Sequence, residues 1–353
     1  MKKVLAFSLF ICLITVSTMC SKNSKNNTPT APGPTGEVTV TKITYNGWEN
    51  SYEMTNGLVK VVVVPAIGRI MYYGYVGGAN VLWDDPSLYG KTLPSGQPYR
   101  VNGQITWANF GGDKVWPTEQ SQFPAINGHS WPPDHWFDGG AHQADEIANG
   151  LRITSNVSDY CGAYSIREIS LDPQSTQLLI QQTIKKVKRA QNSSVEPIDY
   201  TIWNITQIRS PHMAIFNLNP ASSLPNKIHL WSNEAGAQIS MDENIATFVP
   251  HPSRQLKAGA DSDHWLGAIV ENVVIGEFFR RQTGTYPDGG LSAEVYTSPQ
   301  YTELELLSPF AQLNIGGSIR FDISWRLVKL PADAATMSQK RDAAVAWLNS
   351  FSN

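Results

Sequence analysis

Short strand-like runs closed by turn residues recur from residue 37 to residue 330, and this pattern constrains the fold more than any other feature. β-branched and aromatic residues dominate each run, and Gly, Pro, Asn or Asp ends it. The clearest runs are 37–45 (EVTVTKITY), 58–64 (LVKVVVV) and 69–76 (RIMYYGYV). Between the runs, no stretch shows the helical period that an alternating β-α-β fold needs. The sequence therefore predicts an all-β protein.

The number and spacing of these runs favour one large antiparallel β-sandwich. The further strand candidates are 150–157, 161–171, 177–185, 198–208, 212–217, 227–232, 237–241, 265–270, 273–280, 291–297, 302–307 and 318–328. No repeat of fixed period accompanies them, so a propeller is disfavoured. One helix is predicted over 332–351, after Pro331. We expect a single domain over 37–353 that includes this helix. The polar stretch 190–195 admits either a hairpin turn or a boundary between two domains.

The N-terminus has the pattern of an export signal. Lys2 and Lys3 precede an apolar run, 4–16, that is too short to span a bilayer as a helix. Cys20 follows at the expected cleavage distance and, with the polar residues after it, resembles a bacterial lipoprotein site. We therefore expect a signal peptide over 1–19, a lipid-bearing Cys20 and a flexible tether over 20–36. Simple secretion and a retained apolar anchor are the alternatives. The expected location is the periplasm or the outer membrane, with the lipid as the only membrane contact.

Charge, cysteine and histidine content exclude several classes of function. Lys and Arg number 27 against 30 Asp and Glu, for a formal charge of −3, which gives no electrostatic reason to expect nucleic acid as a partner. Apart from Cys12 and Cys20 the only cysteine is Cys161, which cannot form an intramolecular disulfide in the mature domain and is interpreted as a buried thiol. The histidine spacings match no compact ligand pattern, so neither a metal nor a cofactor is predicted. Nothing in the sequence indicates an oligomeric state.

One long irregular segment, 83–142, concentrates aromatic and titratable side chains. It holds five tryptophans and three of the seven histidines, and its prolines interrupt regular structure. Flat aromatic rings can cover the apolar faces of a pyranose while charged groups bond its hydroxyls. The segment therefore predicts a saccharide site; the alternative is that the tryptophans form core under a long loop. The candidate binding residues are Asp113, Lys114, Trp116, Glu119, His129, Trp131, His135 and Trp136.

A second group of candidates lies near the C-terminus and a third at a turn. Glu303 and Glu305 alternate with leucines, so both carboxylates project from one face of a strand, and Glu294 lies on the preceding strand. Paired carboxylates raise each other's pKa and suit general acid/base work; the alternative is a solvated outer face. Arg69 follows the turn at Gly68, and it either binds a ligand or pairs with a carboxylate of the sheet.

Several stretches resemble known domains. Residues 56–83 (NGLVKVVVVPAIGRIMYYGYVGGANVLW) resemble the opening of galactose-mutarotase-like domains. GGDKVWPTEQ (111–120), NGHSWPPDHWFDGG (127–140), YTIWNITQI (200–208) and YPDGGLSAEVYTSPQYTELELLSP (286–309) resemble a bacterial family of domains of unknown function (4380) that is grouped with the mutarotase-like folds. The resemblance covers about 45–330 and implies a large antiparallel β-sandwich, a supersandwich whose concave face holds sugar.

The resemblance also implies roles for individual residues. In catalytic relatives a glutamate is the general base and a histidine protonates the ring oxygen. Glu305 then matches the base, with Glu303 as fallback, and His135 or His129 matches the acid, with His135 favoured. Lys114 stands in for an arginine of those relatives. A second histidine has no counterpart, because the chain reads Trp-Asn-Ile-Thr at 203–206.

These features together predict an exported, mutarotase-like protein that binds a saccharide. If it is an enzyme, it is an isomerase of the aldose 1-epimerase type. The alternatives are a non-catalytic glycan-binding lipoprotein that holds ligand for an uptake system, and a lyase or hydrolase, or an accessory to one, for polymeric glycan.

Overall fold

The computed structural model describes residues 33–351. The predicted signal peptide 1–19, the lipidation site Cys20 and most of the tether 20–36 lie outside the described residues. Within 33–351, no helix combines the length and the apolar character needed to cross a bilayer.

Two ten-stranded sheets, both antiparallel, form the protein, so the predicted all-β sandwich is confirmed. Strands are numbered along the chain. Sheet I runs in the order β1 (Thr39–Tyr45), β2 (Trp48–Thr55), β3 (Val59–Val64), β4 (Arg69–Tyr75), β7 (Asp113–Trp116), β13 (Trp203–Arg209), β22 (Tyr301–Leu307), β21 (Ala293–Thr297), β18 (Leu256–Ala260), β15 (Ile228–Leu230). Sheet II runs in the order β16 (Ile239–Asp242), β17 (Ile245–Phe248), β14 (Met213–Leu218), β19 (Ser262–Val270), β20 (Val273–Phe279), β24 (Ser318–Lys329), β11 (Leu178–Lys186), β10 (Ala163–Leu171), β9 (Gly150–Ser155), β8 (His142–Ile147).

Short elements complete the described chain. Two small ladders pair β5 (Arg100–Val101) with β6 (Gln104–Ile105), and β12 (Asp199–Tyr200) with β23 (Ala311–Gln312). The α-helices are α1 (Phe123–Asn127), α2 (Asn233–Gly236) and α3 (Met337–Asn349), and single 3₁₀ turns occur at Pro65–Ile67, Pro86–Leu88, Gln120–Gln122, Ser193–Val195 and Pro225–Lys227.

Alternation along the strands determines which side chains form the core between the sheets. In β10 and β11 of sheet II every second residue is buried, as period-2 patterning requires. From sheet I, Val115 of β7 and Leu304 and Leu306 of β22 enter this core. Their neighbours Lys114, Glu303 and Glu305 therefore project from the face of sheet I that points away from sheet II, which we call the outer face.

A buried polar cluster interrupts the apolar interior between the sheets. Asp113 of β7 forms an ion pair with Arg167 of β10, and Asn204 Nδ2 and Thr206 Oγ1 donate hydrogen bonds of 2.9 and 3.0 Å to Asp113 Oδ2. Glu277 of β20 is fully buried near this cluster, and burial raises the pKa of its carboxyl well above the ordinary value. Asp113 thus faces the interior, opposite to Lys114.

The C-terminal helix is five residues shorter at its start than predicted. Thr336 caps α3 and exchanges hydrogen bonds with Gln339, and this capping box starts the helix after the predicted 332–336 stretch. The helix packs on the outer face of sheet II, with Ala344 and Leu348 buried. Gly276 permits this approach, since a Cβ there would lie 2.5 Å from Leu348 Cδ2.

The polar stretch 190–195 belongs to a crossover between the sheets. The chain leaves β11 of sheet II, passes the Ser193–Val195 turn and then enters β13 of sheet I through β12. An ion pair between Lys186 and Glu196 closes this connection. The stretch is therefore not the hairpin turn that was one of its two interpretations.

Candidate functional site

A pocket of about 590 Å³ opens on the outer face of sheet I. Its floor is built by β7, β13, β22, β21 and β18, which are neighbours in the sheet. The volume lies within the range of small-molecule sites. The lining residues are Trp107, Trp116, Gln120, Trp131, Trp203, Ile205, Trp231, Ser232, Gln255, Leu256, Lys257, Asp288, Tyr296, Tyr301, Glu303 and Glu305.

Strand register brings the charged side chains of the floor into adjacent rows. Glu305 of β22 lies opposite Glu294 of β21 on one side and opposite Ile205 of β13 on the other. Glu303, two residues earlier, lies opposite Tyr296, which in turn lies opposite Lys257 of β18. Directly opposed residues on one face are in contact range, so the register itself assembles the cluster.

Two lysines form ion pairs with three carboxyl groups in this floor. Lys257 Nζ lies 2.5 Å from Glu294 Oε2 and 3.1 Å from Glu305 Oε2, and Lys114 Nζ lies 3.4 Å from Glu303 Oε1. The glutamate and Lys114 side chains are at most 12 % exposed, while Lys257 is 20 % exposed. Only Lys257, Glu303 and Glu305 line the pocket, so Lys114 and Glu294 form a supporting layer beneath them.

Neutral donors fix the orientation of the two carboxylates that line the pocket. Trp203 Nε1 donates a hydrogen bond of 2.9 Å to Glu305 Oε2, and Gln207 Nε2 donates one of 2.9 Å to Glu303 Oε1. Both donors lie on β13, beside β22. Hydrogen bonds to an ionised acceptor are stronger than neutral ones, so these contacts hold the glutamates in place.

Burial and neighbouring charges shift the proton affinities of the floor. Burial and the nearby Glu305 raise the pKa of Glu303, against the opposing effect of Lys114. Burial also raises the pKa of Glu294 well above its ordinary value. Burial lowers the pKa of Lys257, but Glu294 and Glu305 more than offset it, so the net shift is upward. Glu294, Glu303 and Lys257 therefore bind their protons more tightly than the same groups do in water.

Aromatic rings surround this charged floor. Trp116 is edge-on to Trp203 at 5.1 Å between ring centroids, and Trp131 lies 6.0 Å from Trp116. Lys257 Nζ lies 5.0 Å from the Trp203 ring and 5.1 Å from the Trp231 ring, within cation–π range. The pocket thus combines apolar ring surfaces with charged groups that can accept and donate hydrogen bonds.

Some predicted site residues meet in this pocket. Trp116, Trp131, Glu303 and Glu305 line it. Lys114 touches it from beneath: its ammonium pairs with Glu303 and lies 5.5 Å from the Trp116 ring. Glu294 contacts it through Lys257, as described above. The two glutamates of β22 are neither solvated nor part of the core, so neither a plain outer face nor a packing role accounts for them.

Arg69, Asp113 and Glu119 do not line the pocket. Arg69 is fully buried and bonds Asp138 Oδ1 at 2.9 Å, which is its predicted structural alternative. Asp138 accepts hydrogen bonds from Trp107 Nε1 at 2.6 Å and Trp116 Nε1 at 2.9 Å. Arg69 therefore helps to position these two pocket tryptophans through Asp138. Asp113 is held between the sheets by Arg167, and Glu119 accepts a hydrogen bond from Ser121.

His129, His135 and Trp136 form a separate aromatic cluster. The His135 ring stacks on Trp136 with centroids 5.1 Å apart and meets Tyr160 edge-on at 5.4 Å, and His129 lies 6.2 Å from Tyr160. Burial lowers the pKa of both histidines. None of the three lines the pocket, and no lining residue is a histidine. The expectation that His135 and Glu305 act in one pocket therefore has no geometric support.

Sequence reasoning missed Trp107, Trp203, Trp231, Lys257, Tyr296 and Tyr301. Alternation offers a signal for Tyr296, because it shares a strand face with Glu294. Lys257 had no such signal, since Ala258, Gly259 and Ala260 follow it and give β18 a weak strand pattern. Within residues 33–351, no three His, Cys, Asp or Glu side chains are grouped so that they could hold a metal ion.

Comparison with known proteins supports the fold. Neither a protein-family model nor a curated protein sequence matches the chain. A Klebsiella pneumoniae subsp. pneumoniae protein provisionally described as an aldose 1-epimerase superposes with a TM-score of 0.57 and 10 % identity, over 90 % of this chain and 88 % of that one. A Salmonella typhimurium protein provisionally described as a mutarotase superposes with a TM-score of 0.48 and 12 % identity, over 83 % of this chain and 97 % of that one. The Slr1438 protein of Synechocystis sp. superposes with a TM-score of 0.48 and 12 % identity, over 82 % of this chain and 99 % of that one.

Identity this low bears on the fold and not on the activity, and the narrower resemblance to the family of unknown function stays a prediction. The chain has the galactose-mutarotase-like β-sandwich fold.

Proposed function

We propose that this protein binds a saccharide in the pocket on the outer face of sheet I. The observation that carries the proposal is the set of five tryptophans and two tyrosines lining a pocket with Lys257, Glu303 and Glu305 at its floor. Indole rings cover the apolar C–H faces of a sugar, and the carboxylates and the ammonium bond its hydroxyls. The three charged groups lie on regular strands, β18 and β22, which fix their positions in the floor.

Calorimetric titration against a panel of neutral and acidic mono- and oligosaccharides tests this proposal. Trp131→Ala removes one exposed ring and is expected to weaken binding about tenfold, which corresponds to about 1.4 kcal/mol. Trp347→Ala is the matched control, because Trp347 lies on α3 at the outer face of sheet II. If no saccharide binds, or if the two variants weaken binding equally, the proposal is wrong.

A second candidate function is proton transfer at the anomeric centre of the bound sugar. Glu305, whose carboxylate is bonded by Lys257 and Trp203, acts as general base on the C1 hydroxyl. Glu303, whose pKa is raised, acts as general acid on the ring oxygen in place of the predicted histidine. The C1–O5 bond breaks as the C1=O1 bond forms, and the reverse steps close the ring on either face. The specific observation that favours this reaction is the pair of carboxyls on one strand face.

Polarimetry tests the catalytic candidate separately from binding. Glu305→Gln keeps the side-chain volume and an oxygen that accepts a hydrogen bond from a sugar hydroxyl, but it cannot accept the proton, so turnover is lost while the saccharide is still bound. Trp136→Ala, outside the pocket, serves as the control. A wild-type protein that binds sugar without accelerating anomer interconversion would exclude this reaction and leave the non-catalytic glycan-binding function.

The proposed location is the bacterial cell envelope, with a lipid on Cys20. The support is the sequence of residues 1–36 alone. Mass spectrometry of the N-terminal peptide from membranes checks it. A lipid-modified Cys20 as the first residue is expected, and Cys20→Ser releases the protein from the membrane. An unmodified N-terminus at another position contradicts the proposal.

A further inference from the structure

Two tryptophans of the pocket are exposed, while two that line the sheet between them are buried. Trp131 and Trp231 are 41 % and 42 % exposed, whereas Trp116 and Trp203 are 3 % and 2 % exposed. Leaving a large aromatic ring in water forgoes the stabilisation that its burial would give. Both exposed rings line the same pocket, so their exposed surface is available to a ligand there.

The exposed rings stand at opposite ends of the pocket floor. Trp131 packs on Trp116 of β7, and Trp231 directly follows β15. A chain of contacts links the two exposed rings through the buried ones. Lys257 Nζ lies 5.1 Å from the Trp231 ring and 5.0 Å from the Trp203 ring, and the Trp116 ring centroid lies 5.1 Å from that of Trp203 and 6.0 Å from that of Trp131. Trp231 reaches back over β18, where its ring contacts Lys257. A single pyranose has about the area of one indole, so one sugar ring cannot lie flat on both platforms.

Each platform is held in place before any ligand arrives. The backbone N–H of Trp231 donates to the Lys257 carbonyl at 3.4 Å, and the His229 ring meets the indole edge-on at 4.6 Å. Gly259 leaves room for the indole, because a Cβ there would lie 3.3 Å from Trp231 Cη2. On the other side, Trp107 supports Trp131 edge-on at 5.0 Å. Preformed aromatic platforms bind with little loss of conformational entropy.

We infer that the pocket binds an oligosaccharide of at least two sugar rings, with one ring on Trp131 and another on Trp231. The inference rests on the proposed saccharide binding and adds the length of the ligand.

Titration by chain length tests the inference. The probes are glucose, cellobiose and cellotriose, with maltose and maltotriose and with the mono-, di- and trisaccharides of β-1,4-linked N-acetylglucosamine as parallel series. In the series that binds, Kd is expected to fall at least about tenfold between the single ring and the trisaccharide. Trp231→Ala is expected to weaken the trisaccharide far more than the monosaccharide, so that the gain with chain length is lost. Trp231→Phe keeps a smaller ring and retains part of the gain.

Three results would overturn the inference in distinguishable ways. A monosaccharide that binds as tightly as its trisaccharide, or a Trp231→Ala variant that weakens both equally, contradicts the two-platform site while the saccharide function stands. Failure of every probe to bind overturns the proposed function together with the inference.

Discussion

Replacing Lys257 by methionine removes the cation that contacts both Glu294 and Glu305. The two carboxyls lie at directly opposed positions on β21 and β22, and both side chains are at most 1 % exposed. Opposed side chains have Cβ atoms about 5 Å apart, so without Lys257 the carboxylates face each other at short range. Methionine has an unbranched apolar side chain like the stem of lysine but lacks the ammonium that lies over the Trp203 and Trp231 rings.

The expected loss of stability is large for a single substitution. Removing one partner of a buried pair typically costs 3–5 kcal/mol, and the partial exposure of Lys257 to the pocket places the value near the lower end, at about 3 kcal/mol at pH 7. Burial raises the pKa of Glu294 and Lys257 lowers it, so loss of the ammonium raises the pKa of Glu294 further in the folded state. A carboxyl whose folded pKa is raised loses stability as pH rises, so the deficit shrinks on acidification. Each proton bound by the folded variant recovers about 1.4 kcal/mol per pH unit.

Urea unfolding of the wild type and the variant at pH 7 and pH 5.5 measures both effects. Lys91→Met is the matched control, because Lys91 is exposed and forms no ion pair among residues 33–351. The control is expected to stay within about 0.5 kcal/mol of the wild type. A Lys257→Met protein as stable as the control at pH 7, with no gain at pH 5.5, would refute the buried charge network.

Three further outcomes are expected. Glu277→Gln removes a carboxyl whose raised pKa makes the folded protein less stable as pH rises above about 4.3. In urea unfolding, the stability of the variant relative to the wild type is therefore expected to be greater at pH 8 than at pH 5, and a difference that does not change with pH contradicts the argument. Gly276→Ala forces Leu348 away and lowers stability by about 1–3 kcal/mol in thermal unfolding, whereas Gly33→Ala, with open space around it, has no effect. Trp136→Ala leaves saccharide affinity unchanged in calorimetry, because Trp136 lies with His135 outside the pocket; an affinity loss equal to that of Trp131→Ala contradicts the assignment of the site.

The fold was predictable because alternation and turn residues are local signals. The run 58–64 became β3 at Val59–Val64, and Leu304 and Leu306 entered the core as their alternation with glutamates requires. The strands that escaped prediction were short or poor in β-branched residues. β7 follows two glycines and is only four residues long, and β18 reads LKAGA. Burial by neighbouring strands, which the sequence does not display, stabilises both.

The site was only partly predictable because it combines strands that are distant in sequence. Glu303 and Glu305 were found from their spacing within one strand. Lys257 reaches Glu305 only because β18 pairs with β21, and the sequence does not display that pairing. His135 and Trp136 were placed near Trp116 because they share one irregular segment. In the fold, Asp134 anchors that loop instead, accepting hydrogen bonds from Ser158 Oγ at 2.5 Å and Trp136 N at 2.9 Å, and the histidines turn away from the pocket.

A crystal structure with the tightest-binding saccharide of the panel would show where the sugar binds. Sugar rings are expected within about 4.5 Å of Trp131 and of Trp231, with a hydroxyl within about 3.2 Å of a side-chain oxygen of Glu303 or Glu305. Sugar bound instead beside His135 and Trp136, or on the outer face of sheet II, would contradict a saccharide site on the outer face of sheet I.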